Sequence, residues 1–572
     1  MFRPEYPRPQ MVRNDWINLN GAWEYRTDRA VSGTDRKWYL PETDYPERIE
    51  VPFCRESVLS GIGDTDFCDC VWYRKQLSIP ADWAGKRVIL HIGACDFATT
   101  LWVDGKEVGT HRGGYVSFSF DLTPYLTSQT PVITLRVIDE VRKMIQPGGK
   151  QSRLYHSHGC DYTRTTGIWQ TVWLEAVAQS YIKNTKYYPD IDAKTLTVLV
   201  NAECADGMTV SAKATYEGRE VGSASAVVHA RQAMMTISLS ELHLWEVGNG
   251  RLYDLELTMG EDTVKSYFGM RNIGLKDGIF YLNGKPVFQR LVLDQGFYPD
   301  GIYTAPSEGE LIADIERSMA CGFNGARLHQ KIFEPLFLYH CDRLGYIVWG
   351  EHGNWGLNIH DPEGWRAFLP EWLESVERDF NHPAIIGWCP LNETKFDQDP
   401  ELVRFLGSMT RAADPTRLFI EASGWAHVAG VADIIDVHDY CQDPAEFAAR
   451  FEDLKEGKPV SIHLPRKYNL PEEITYPTFI SEYGGIGWDL DDTMGNSWGY
   501  GTTPASPEEF IARFKGLAEA LLFHPKMGGL CYTQLTDVEQ EQNGLYTYDR
   551  RPKFDPAIFH AILTQKAAIE ED

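Results

Sequence analysis

The chain has 572 residues, more than the roughly 250–300 that a single hydrophobic core can organise, so several domains are expected. Its 55 lysines and arginines against 81 aspartates and glutamates give a formal net charge of −26, which excludes nucleic acid and anionic membrane surfaces as expected partners. The 17 tryptophans and 28 tyrosines offer aromatic faces that can stack on sugar rings, although most aromatic side chains fill cores.

The N-terminal segment and the cysteines indicate a reducing compartment. The first eight residues contain neither an apolar stretch nor a small-residue cleavage site, and no apolar run approaches the roughly 18 residues that span a bilayer. The 11 cysteines are odd in number and scattered, which favours free thiols over a disulfide framework. We therefore expect a cytoplasmic protein with no membrane partner.

The first 272 residues predict β-structure in two parts. Residues 1–180 contain short strands separated by turn signals, and Asp104-Gly105 between two such runs predicts a tight hairpin within a β-sandwich. Residues 181–272 continue the apolar and polar alternation over about ninety residues, the size of an immunoglobulin-like sandwich. No helix is predicted in either part.

The remaining residues, 273–572, are assigned to a third domain in which strands and helices alternate, as in βα units around a parallel sheet. Ser307-x-x-Glu310 and Ser506-x-x-Glu509 are capping boxes that predict helix starts, and Gly345 can end the helix before the third strand. Eight strands are predicted, at residues 287–292, 323–328, 346–350, 384–389, 417–421, 434–438, 477–482 and 528–533. Eight units predict a (β/α)8 barrel, whose active site lies at the carboxyl ends of the strands.

Two glutamates stand at the carboxyl ends of predicted strands. Glu393 directly follows Asn392 after the fourth strand, and Glu482 ends the seventh, so both are expected at one barrel mouth. Taken alone, each could be an exposed strand-end carboxylate. As a pair they match glycosidic bond cleavage, in which one carboxyl group protonates the leaving oxygen and the other attacks the anomeric carbon. We predict retention, with Glu393 as acid/base and Glu482 as nucleophile.

Further motifs extend this pattern over nearly the whole chain. They are Thr166-Gly167-Ile168-Trp169-Gln170-Thr171-Val172-Trp173-Leu174-Glu175, Phe268-Gly269-Met270-Arg271-Asn272-Ile273, His382-Pro383-Ala384-Ile385-Ile386 running to Asn392-Glu393, Ser481-Glu482-Tyr483-Gly484, and Asn543-Gly544-Leu545-Tyr546-Thr547-Tyr548-Asp549-Arg550-Arg551-Pro552-Lys553. With these motifs the chain resembles glycoside hydrolase family 2, the β-galactosidase and β-glucuronidase group. The resemblance implies a sugar-binding jelly-roll sandwich, an immunoglobulin-like sandwich and a barrel.

The resemblance also implies roles for residues near the pair. Arg327, in the strand-two segment, would orient the nucleophile, and Tyr440 falls where relatives keep a tyrosine near it. Asn392 would bind the sugar 2-hydroxyl, an interaction that strengthens in the transition state. His329 follows Arg327 without the family's usual small pair and His-Tyr-Pro, which puts its role in doubt. No metal or organic cofactor is implied, and relatives are often dimers or tetramers, so a homo-oligomer is an open expectation.

Several other strand-end residues are candidates for the substrate pocket. Asp294 ends the first strand, where relatives often place a histidine or an aspartate that binds sugar hydroxyls. The other candidates are Glu351, His352, Trp355, Trp498 and Asp537. A different kind of site is suggested by His156-Ser157-His158-Gly159-Cys160-Asp161, with Cys68 and Cys70 as further thiols. The spacing matches no known metal motif and no clear second pair is visible, so polar loop residues at the active-site rim are favoured.

The sequence gives only partial information on which sugar is cleaved. Relatives that cleave glucuronides read the carboxylate with Asn-x-Lys before the glycine of the closing segment, where this chain has Glu541-Gln542-Asn543-Gly544. An acid there would repel a uronate, which argues against an ordinary β-glucuronidase. We expect a β-galactosidase-like exo-enzyme acting on a carbohydrate or glycoside. The alternatives are a uronidase of the same family, either a β-galacturonidase or an atypical β-glucuronidase, and, more remotely, a non-catalytic carbohydrate-binding protein.

Overall fold

The computed structural model describes residues 3–395, 398–458, 477–491 and 497–570. In these segments the predicted succession of a jelly-roll β-sandwich, an immunoglobulin-like β-sandwich and a (β/α)8 barrel is confirmed. None of the helices they contain combines the length and the apolar composition needed to cross a bilayer.

The N-terminal sandwich consists of two antiparallel sheets around an apolar core. Its strands are β1 (Trp16–Asn18), β2 (Gly21–Thr27), β3 (Glu47–Val51), β4 (Cys70–Gln76), β5 (Arg87–Ile92), β6 (Cys95–Asp96), β7 (Ala98–Val103), β8 (Lys106–Arg112), β9 (Phe118–Asp121), β10 (Val132–Ile138), β11 (Gly167–Ile168) and β12 (Val172–Val177). The sheet orders are β1-β12-β5-β9 and β3-β2-β4-β10-β7-β8. The predicted hairpin joins β7 to β8, and Asp104 and Gly105 both have positive φ, as a type I′ turn requires.

The second sandwich has the strand alternation that the sequence predicts. Its strands are β13 (Tyr181–Asp190), β14 (Thr195–Glu203), β15 (Thr209–Tyr216), β16 (Arg219–Val227), β17 (Gln232–Ser238), β18 (Tyr253–Met259) and β19 (Asp262–Phe268). They form sheets β13-β14-β17 and β16-β15-β18-β19, whose inward residues, such as Leu196, Val198 and Val200 of β14, make one apolar core. Burial alternates along β14, so one face of this strand points into the core.

The barrel strands follow a short antiparallel lead-in of three strands. The strands of this domain are β20 (Ile273–Lys276), β21 (Ile279–Leu282), β22 (Lys285–Pro286), β23 (Gln289–Asp294), β24 (Gly325–Leu328), β25 (Ile347–Glu351), β26 (Ile385–Cys389), β27 (Leu391–Asn392), β28 (Leu418–Phe419), β29 (Ala422–Ser423), β30 (Asp436–Asp439), β31 (Phe479–Gly484) and β32 (Gly529–Thr533). Eight of them form one parallel sheet in the order β28-β26-β25-β24-β23-β32-β31-β30. All eight predicted strands are therefore present, and the small pair β27-β29 extends the sheet at its carboxyl end.

Seven α-helices cover the described part of this sheet. They are α1 (Glu308–Ala320), α2 (Pro335–Leu344), α3 (Pro362–Asp379), α4 (Pro400–Ala413), α5 (Pro444–Lys455), α6 (Pro507–Leu522) and α7 (Pro556–Leu563). The predicted caps are confirmed, since the hydroxyls of Ser307 and Ser506 accept from the backbone N–H groups three residues on. Gly345 ends α2 with a φ of 71°, a left-handed conformation that favours glycine.

One segment of the first sandwich, residues 147–163, lies against the loops at the carboxyl ends of the barrel strands. The Gly148 N–H donates to the Trp355 carbonyl at 3.0 Å, and the Trp498 indole donates to the Gly159 carbonyl at 2.8 Å. Because these contacts lie at the barrel mouth, the sandwich contributes to the surface where the active site of such a barrel is found.

Candidate active site

Glu393 and Glu482 meet at the carboxyl end of the parallel sheet. Glu393 follows β27 and Glu482 lies in β31, and their side chains are 12% and 6% exposed. One carboxylate oxygen of each, together with Nδ1 of His438, lies within 4.8 Å of the others. Two carboxyl groups about 5–5.5 Å apart suit retaining glycoside hydrolysis, whereas inversion needs about 6.5–9.5 Å. The pair therefore has the close spacing that a double displacement requires.

Glu482 is held ionised. Arg327 Nη1 donates to Oε1 at 3.1 Å and the Tyr440 hydroxyl donates to Oε2 at 2.5 Å. Burial raises the pKa of Glu482, but the positive charges of His438 and Arg327 outweigh it and lower the pKa to about 2. The carboxylate is thus available as an anion over the whole neutral range.

Arg327 is fixed by hydrogen bonds from every side of its guanidinium. Nε donates to Glu351 at 2.6 Å, Nη1 to the Ser481 carbonyl at 2.7 Å, and Nη2 to the Asn392 side-chain oxygen at 3.1 Å. Glu351 in turn lies 3.2 Å from Nδ1 of the predicted His329. Arg327 and Glu351 therefore belong to the set that orients the nucleophile, because charge-assisted bonds of this kind are short and directional.

Asn392 presents an available amide donor beside the two glutamates. Its backbone N–H donates to Asn354 Oδ1 at 2.9 Å, and its own Oδ1 is taken by Arg327. Its Nδ2 is buried and has no hydrogen-bond partner among the described residues. A buried amide N–H usually has an acceptor, so this donor is suited to a ligand oxygen, and the predicted role toward the sugar 2-hydroxyl stays a prediction.

Glu393 has an unusual backbone and a partner that the sequence reasoning missed. Its φ is 51°, a left-handed conformation that costs free energy for a residue other than glycine. Its N–H donates to the Ser423 carbonyl at 2.8 Å, and Oε1 lies 2.8 Å from Nδ1 of His438. The signal for His438 was available, since this polar residue stands two places before Tyr440 at the end of the sixth predicted strand.

The two predicted tryptophans occupy different positions at the mouth. Trp355 donates from Nε1 to the Asn392 carbonyl at 3.3 Å and so touches the backbone that carries the acid/base candidate. Trp498 lies farther out, with its ring centroid 5.4 Å from that of Tyr500. Tyr500 in turn stacks on Tyr440 with centroids 3.5 Å apart. Trp498 is therefore a rim residue, separated from the nucleophile by two tyrosine rings.

Asp294 is not brought to the glutamates. Gln289 of the same strand accepts from Trp349 Nε1 inside the barrel, and Asp294, five residues on, points to the other face because strand side chains alternate. Its Oδ1 accepts from the Gly296 N–H at 2.9 Å, and burial, with the charge of Asp314 in α1, raises its pKa to about 6. The expectation that Asp294 binds sugar hydroxyls is corrected by this register.

Two further candidates also face away from the pair. His352 stacks on Phe368, and its Nε2 lies 3.5 Å from Glu371 of α3. Asp537 accepts from Lys553 Nζ at 2.6 Å. Both side chains are buried, and these contacts are with Phe368, Glu371 and Lys553 and not with the glutamate pair.

The segment that resembled a metal box forms a rim loop. His158 and Asp161 exchange backbone hydrogen bonds at 2.8 Å, and Gln540 Nε2 donates to the Gly159 carbonyl at 2.8 Å. In the part of the chain that the structure describes, the side chains close enough to share one ion are Glu393, His438 and Glu482, which are the carboxylate pair and its histidine. The loop thus reaches the active-site rim, as the sequence favoured.

Lys150 is a second residue that sequence reasoning missed, and nothing in the barrel sequence pointed to it. Its residue exposure is 5%, its Nζ lies 5.0 Å from the centroid of the Trp355 ring, and Nζ has no hydrogen bond or ion pair among the described residues. Burial lowers its pKa, but the charges of Glu541 and of both catalytic candidates raise the pKa above its ordinary value. A buried ammonium therefore lies at the mouth with no direct counter-ion among the residues that the structure describes.

Glu541 is a buried carboxylate at the same place. It accepts from the Tyr162 hydroxyl and from Asn543 Nδ2, the latter at 3.1 Å. Tyr162 and Lys150 come from the first sandwich, whereas Glu541 and Asn543 follow β32 of the barrel. The mouth is thus built from two domains.

Comparison with known proteins places the chain among glycoside hydrolases. Family models described as "Glycosyl hydrolases family 2, sugar binding domain", "Glycosyl hydrolases family 2" and "Glycosyl hydrolases family 2, TIM barrel domain" match residues 63–177, 180–271 and 273–509. The chain is 26% identical over 408 residues to a β-galactosidase of Thermoanaerobacter pseudethanolicus, covering 67% of this chain and 53% of that protein. It is 24% identical over 476 residues to the β-glucuronidase of Rattus norvegicus, covering 74% and 71%.

Solved structures resemble the chain over almost its whole length. The β-glucuronidase of Ruminococcus gnavus has a TM-score of 0.80 at 17% identity, covering 98% of this chain and 99% of that one. A Bifidobacterium dentium β-glucuronidase has a TM-score of 0.80 at 18% identity, covering 96% and 97%. At these identities the likeness establishes the fold. The chain spans about half the length of the bacterial β-galactosidase, 53%, so the sugar has to be argued from the site.

Proposed function

The chain belongs to glycosyl hydrolase family 2, and on that premise we propose that it is a retaining exo-β-glycosidase that hydrolyses terminal β-linked sugars. The observation that carries the proposal is the approach of Glu393 and Glu482 within 4.8 Å, with Arg327 and Tyr440 both bound to Glu482. Segment 147–163 of the sandwich lies over the mouth, which supports action on chain ends.

In the first step the Glu482 carboxylate attacks the anomeric carbon while Glu393 gives a proton to the leaving oxygen. The carbon–oxygen bond of the glycoside breaks, its electron pair goes to the leaving oxygen, and a covalent glycosyl ester forms. Arg327 and Tyr440 hold the nucleophile in place, and Asn392 Nδ2 is free to bind the 2-hydroxyl as positive charge develops on the ring.

In the second step Glu393 acts as a base. It takes a proton from water, the water oxygen attacks the anomeric carbon, and Glu482 leaves as a carboxylate. Two inversions return the sugar with its original anomeric configuration. The low pKa of Glu482, about 2, makes it a good leaving group here as well as an ionised nucleophile in the first step.

The sugar that we propose first is neutral and of the galactose type. The buried Glu541 carboxylate beside the site would repel a uronate, because like charges in a low-dielectric site interact strongly. A β-galacturonide or β-glucuronide is the second candidate. It is favoured by Lys150, whose buried ammonium lacks a direct partner among the described residues and would pair with a sugar carboxylate.

The test of the reaction is Glu482→Gln, measured with nitrophenyl β-galactoside, glucuronide, galacturonide, glucoside, mannoside, fucoside and arabinoside. We expect kcat on every cleaved glycoside to fall by about 10⁴-fold or more, since the nucleophile is lost. Glu401→Gln, at a side chain 81% exposed on α4, is the matched control and should leave kcat unchanged. Unchanged turnover by Glu482→Gln would refute the assignment. An α-anomer as the first product by NMR would refute retention.

A further inference from the structure

His438 lies between the two catalytic glutamates, where its charge lowers the pKa of Glu482. It is carried by β30, and its Nδ1 is 2.8 Å from Glu393 Oε1 and 3.4 Å from Glu482 Oε2. Its residue exposure is 2%. A side chain in direct contact with both carboxylates must affect where the protons of the reaction are held.

The hydrogen-bond network decides which ring nitrogen of His438 carries a fixed proton. Nε2 lies 3.0 Å from Ser423 Oγ, and Ser423 Oγ lies 2.5 Å from Asp436 Oδ2. A hydroxyl and a carboxylate oxygen at that distance need the hydroxyl hydrogen between them. Ser423 therefore donates to Asp436 and can only accept from His438, so Nε2 bears a hydrogen.

Asp436 is ionised at neutral pH and therefore accepts the hydrogen bond from the Ser423 hydroxyl. Burial raises its pKa, but the ion pair with His427, whose Nε2 is 3.2 Å from Oδ1 and 2.8 Å from the Asp436 carbonyl oxygen, lowers the pKa to about 2. Gly424 leaves room for the ring, since a Cβ at this position would lie 2.4 Å from Nδ1 and Cε1 of His438. Nδ1 is thus the nitrogen that faces Glu393 without a fixed hydrogen.

We propose that His438 is a positioning residue that shares one mobile proton with Glu393, between Nδ1 and Oε1, and so stores the proton that Glu393 delivers to the leaving oxygen. The inference rests on the proposed function, because it assigns a role within that reaction. The 2.8 Å contact allows either partner to donate, and one proton between the two atoms satisfies both.

The charges around His438 favour keeping that proton on the imidazole in the free enzyme. The acidic groups around it are Glu393 after β27, Glu482 on β31, Asp436 on β30 and Glu351 on β25. The basic groups are Arg327 on β24 and His329, which follows the same strand. Burial lowers the pKa of His329 well below its ordinary value, so that ring is neutral. Burial and the charge of Arg327 lower the pKa of His438, but the charges of Glu482 and Glu393 and the hydrogen bond with Glu393 outweigh them and raise it above its ordinary value.

The proton is released as the nucleophile is consumed. When Glu482 forms its bond to the anomeric carbon it loses its negative charge, so the attraction that kept the proton on Nδ1 weakens. The proton passes through Glu393 to the leaving oxygen, which takes the electron pair of the broken bond. Neutral His438, ionised Glu393 and the glycosyl ester remain, with no change in net charge. In the second step the proton that Glu393 takes from water is shared with Nδ1 again.

The experiment compares His438→Asn with the wild type on a series of aryl β-glycosides of the sugar that the wild type cleaves, from phenyl to dinitrophenyl. Dinitrophenolate leaves without protonation, whereas phenolate needs the acid. We expect the variant to lose about 100-fold in kcat on the phenyl glycoside and less than about 3-fold on the dinitrophenyl glycoside. The alkaline limb of the kcat/KM profile should move to lower pH, because the group that retains the proton is gone.

Ser423→Ala is the second variant, which keeps the imidazole and removes the acceptor of Nε2–H. It should show the same leaving-group dependence with a smaller loss. Equal losses of His438→Asn on both glycosides, or an unchanged alkaline limb, would show that His438 only fills space and would overturn the proposal while leaving the glycosidase assignment intact. A wild type that cleaves no glycoside overturns the proposed function itself, and the proposal about His438 with it.

Discussion

Lys150 comes from the first sandwich, whereas both catalytic glutamates come from the barrel. The site therefore depends at this residue on a second domain. A buried charge without a partner costs several kcal/mol, and such a cost is usually offset by a ligand or an ion pair. The Lys150 ammonium is buried beside Trp355 and has no direct partner among the described residues. We therefore expect it to bind an oxygen of the substrate.

Lys150→Met should lower kcat/KM on the accepted glycoside by about 10- to 100-fold, because a hydrogen bond from a charged group contributes about 1.5–3 kcal/mol. The measurement is steady-state kinetics on the nitrophenyl panel. Lys143→Met, at a side chain 59% exposed in the same region, is the control and should match the wild type. A larger loss on uronides than on neutral sugars would support the second candidate sugar, and equal wild-type and variant kinetics would contradict a role for Lys150.

Some residues of the site were predictable and others were not, for a physical reason. Glu393, Glu482 and Arg327 stand at or near the ends of strands whose order fixes their position around the mouth, so the sequence pattern was enough to bring them together. Lys150 reaches the mouth only through the docking of one domain on another. No local pattern encodes that docking. His438 had a local signal, but its contacts depend on the side chain of Ser423, which comes from another element.

At the scale of elements, segment 147–163 of the sandwich is held against the barrel at two glycines with different surroundings. Gly149 has a φ of 54°, and a Cβ there would lie 2.4 Å from the Gln330 carbonyl oxygen. Gly159 has a φ of 53°, and a Cβ there would meet no atom within 4 Å. The two glycines share the left-handed backbone conformation and differ in the space around them. Alanine at Gly159 therefore tests backbone strain alone, whereas alanine at Gly149 also forces the segment away from the barrel.

Gly149→Ala should therefore lower kcat/KM by about 10- to 100-fold, because moving the neighbouring Lys150 by about 1 Å disturbs the substrate geometry. Gly159→Ala carries the same left-handed backbone cost, about 1–2 kcal/mol, without the clash, and should keep most of its activity. Kinetics on the accepted glycoside together with circular dichroism check both variants. Equal kcat/KM values for the two would contradict a role of the segment in the site.

The strand pattern also shows where sequence reasoning about elements fails. All eight barrel strands were predicted from their apolar runs, because a buried parallel strand is apolar on both faces. Because both faces of such a strand are apolar, the sequence does not show which side chains point into the barrel. Asp294 was placed in the pocket from its position at a strand end, but the register directs it to α1, and a shift of one residue decides between the two faces.

At the scale of the whole molecule, the first sandwich and the barrel are joined through a buried acid on α3. Glu371 Oε1 accepts from the backbone N–H of Tyr115 at 2.6 Å, and the residue is fully buried. Its Oε2 has no hydrogen-bond partner among the described residues, and His352 Nε2 lies 3.5 Å away. Burial raises the pKa of Glu371 to about 8, so the carboxyl group is neutral when the two domains are docked at neutral pH.

This acid makes domain docking less stable as the pH rises from about 4.3 to about 8. Its pKa in the folded protein, about 8, exceeds the unfolded value of about 4.3, so its contribution to stability is fully present below about pH 4.3 and is lost as pH rises to about 8. Glu371→Gln keeps a carbonyl acceptor for the Tyr115 N–H and cannot ionise. The free energy of unfolding of this variant should therefore rise relative to that of the wild type between pH 5 and pH 8, by up to about 1.4 kcal/mol per pH unit, and then level off. Thermal unfolding followed at each pH measures this difference. Glu401→Gln, at a side chain 81% exposed on α4, is the control and should track the wild type at every pH. A constant difference between Glu371→Gln and the wild type across this range would mean that the carboxyl group is already ionised in the folded protein, and that the docking of sandwich on barrel depends on other contacts.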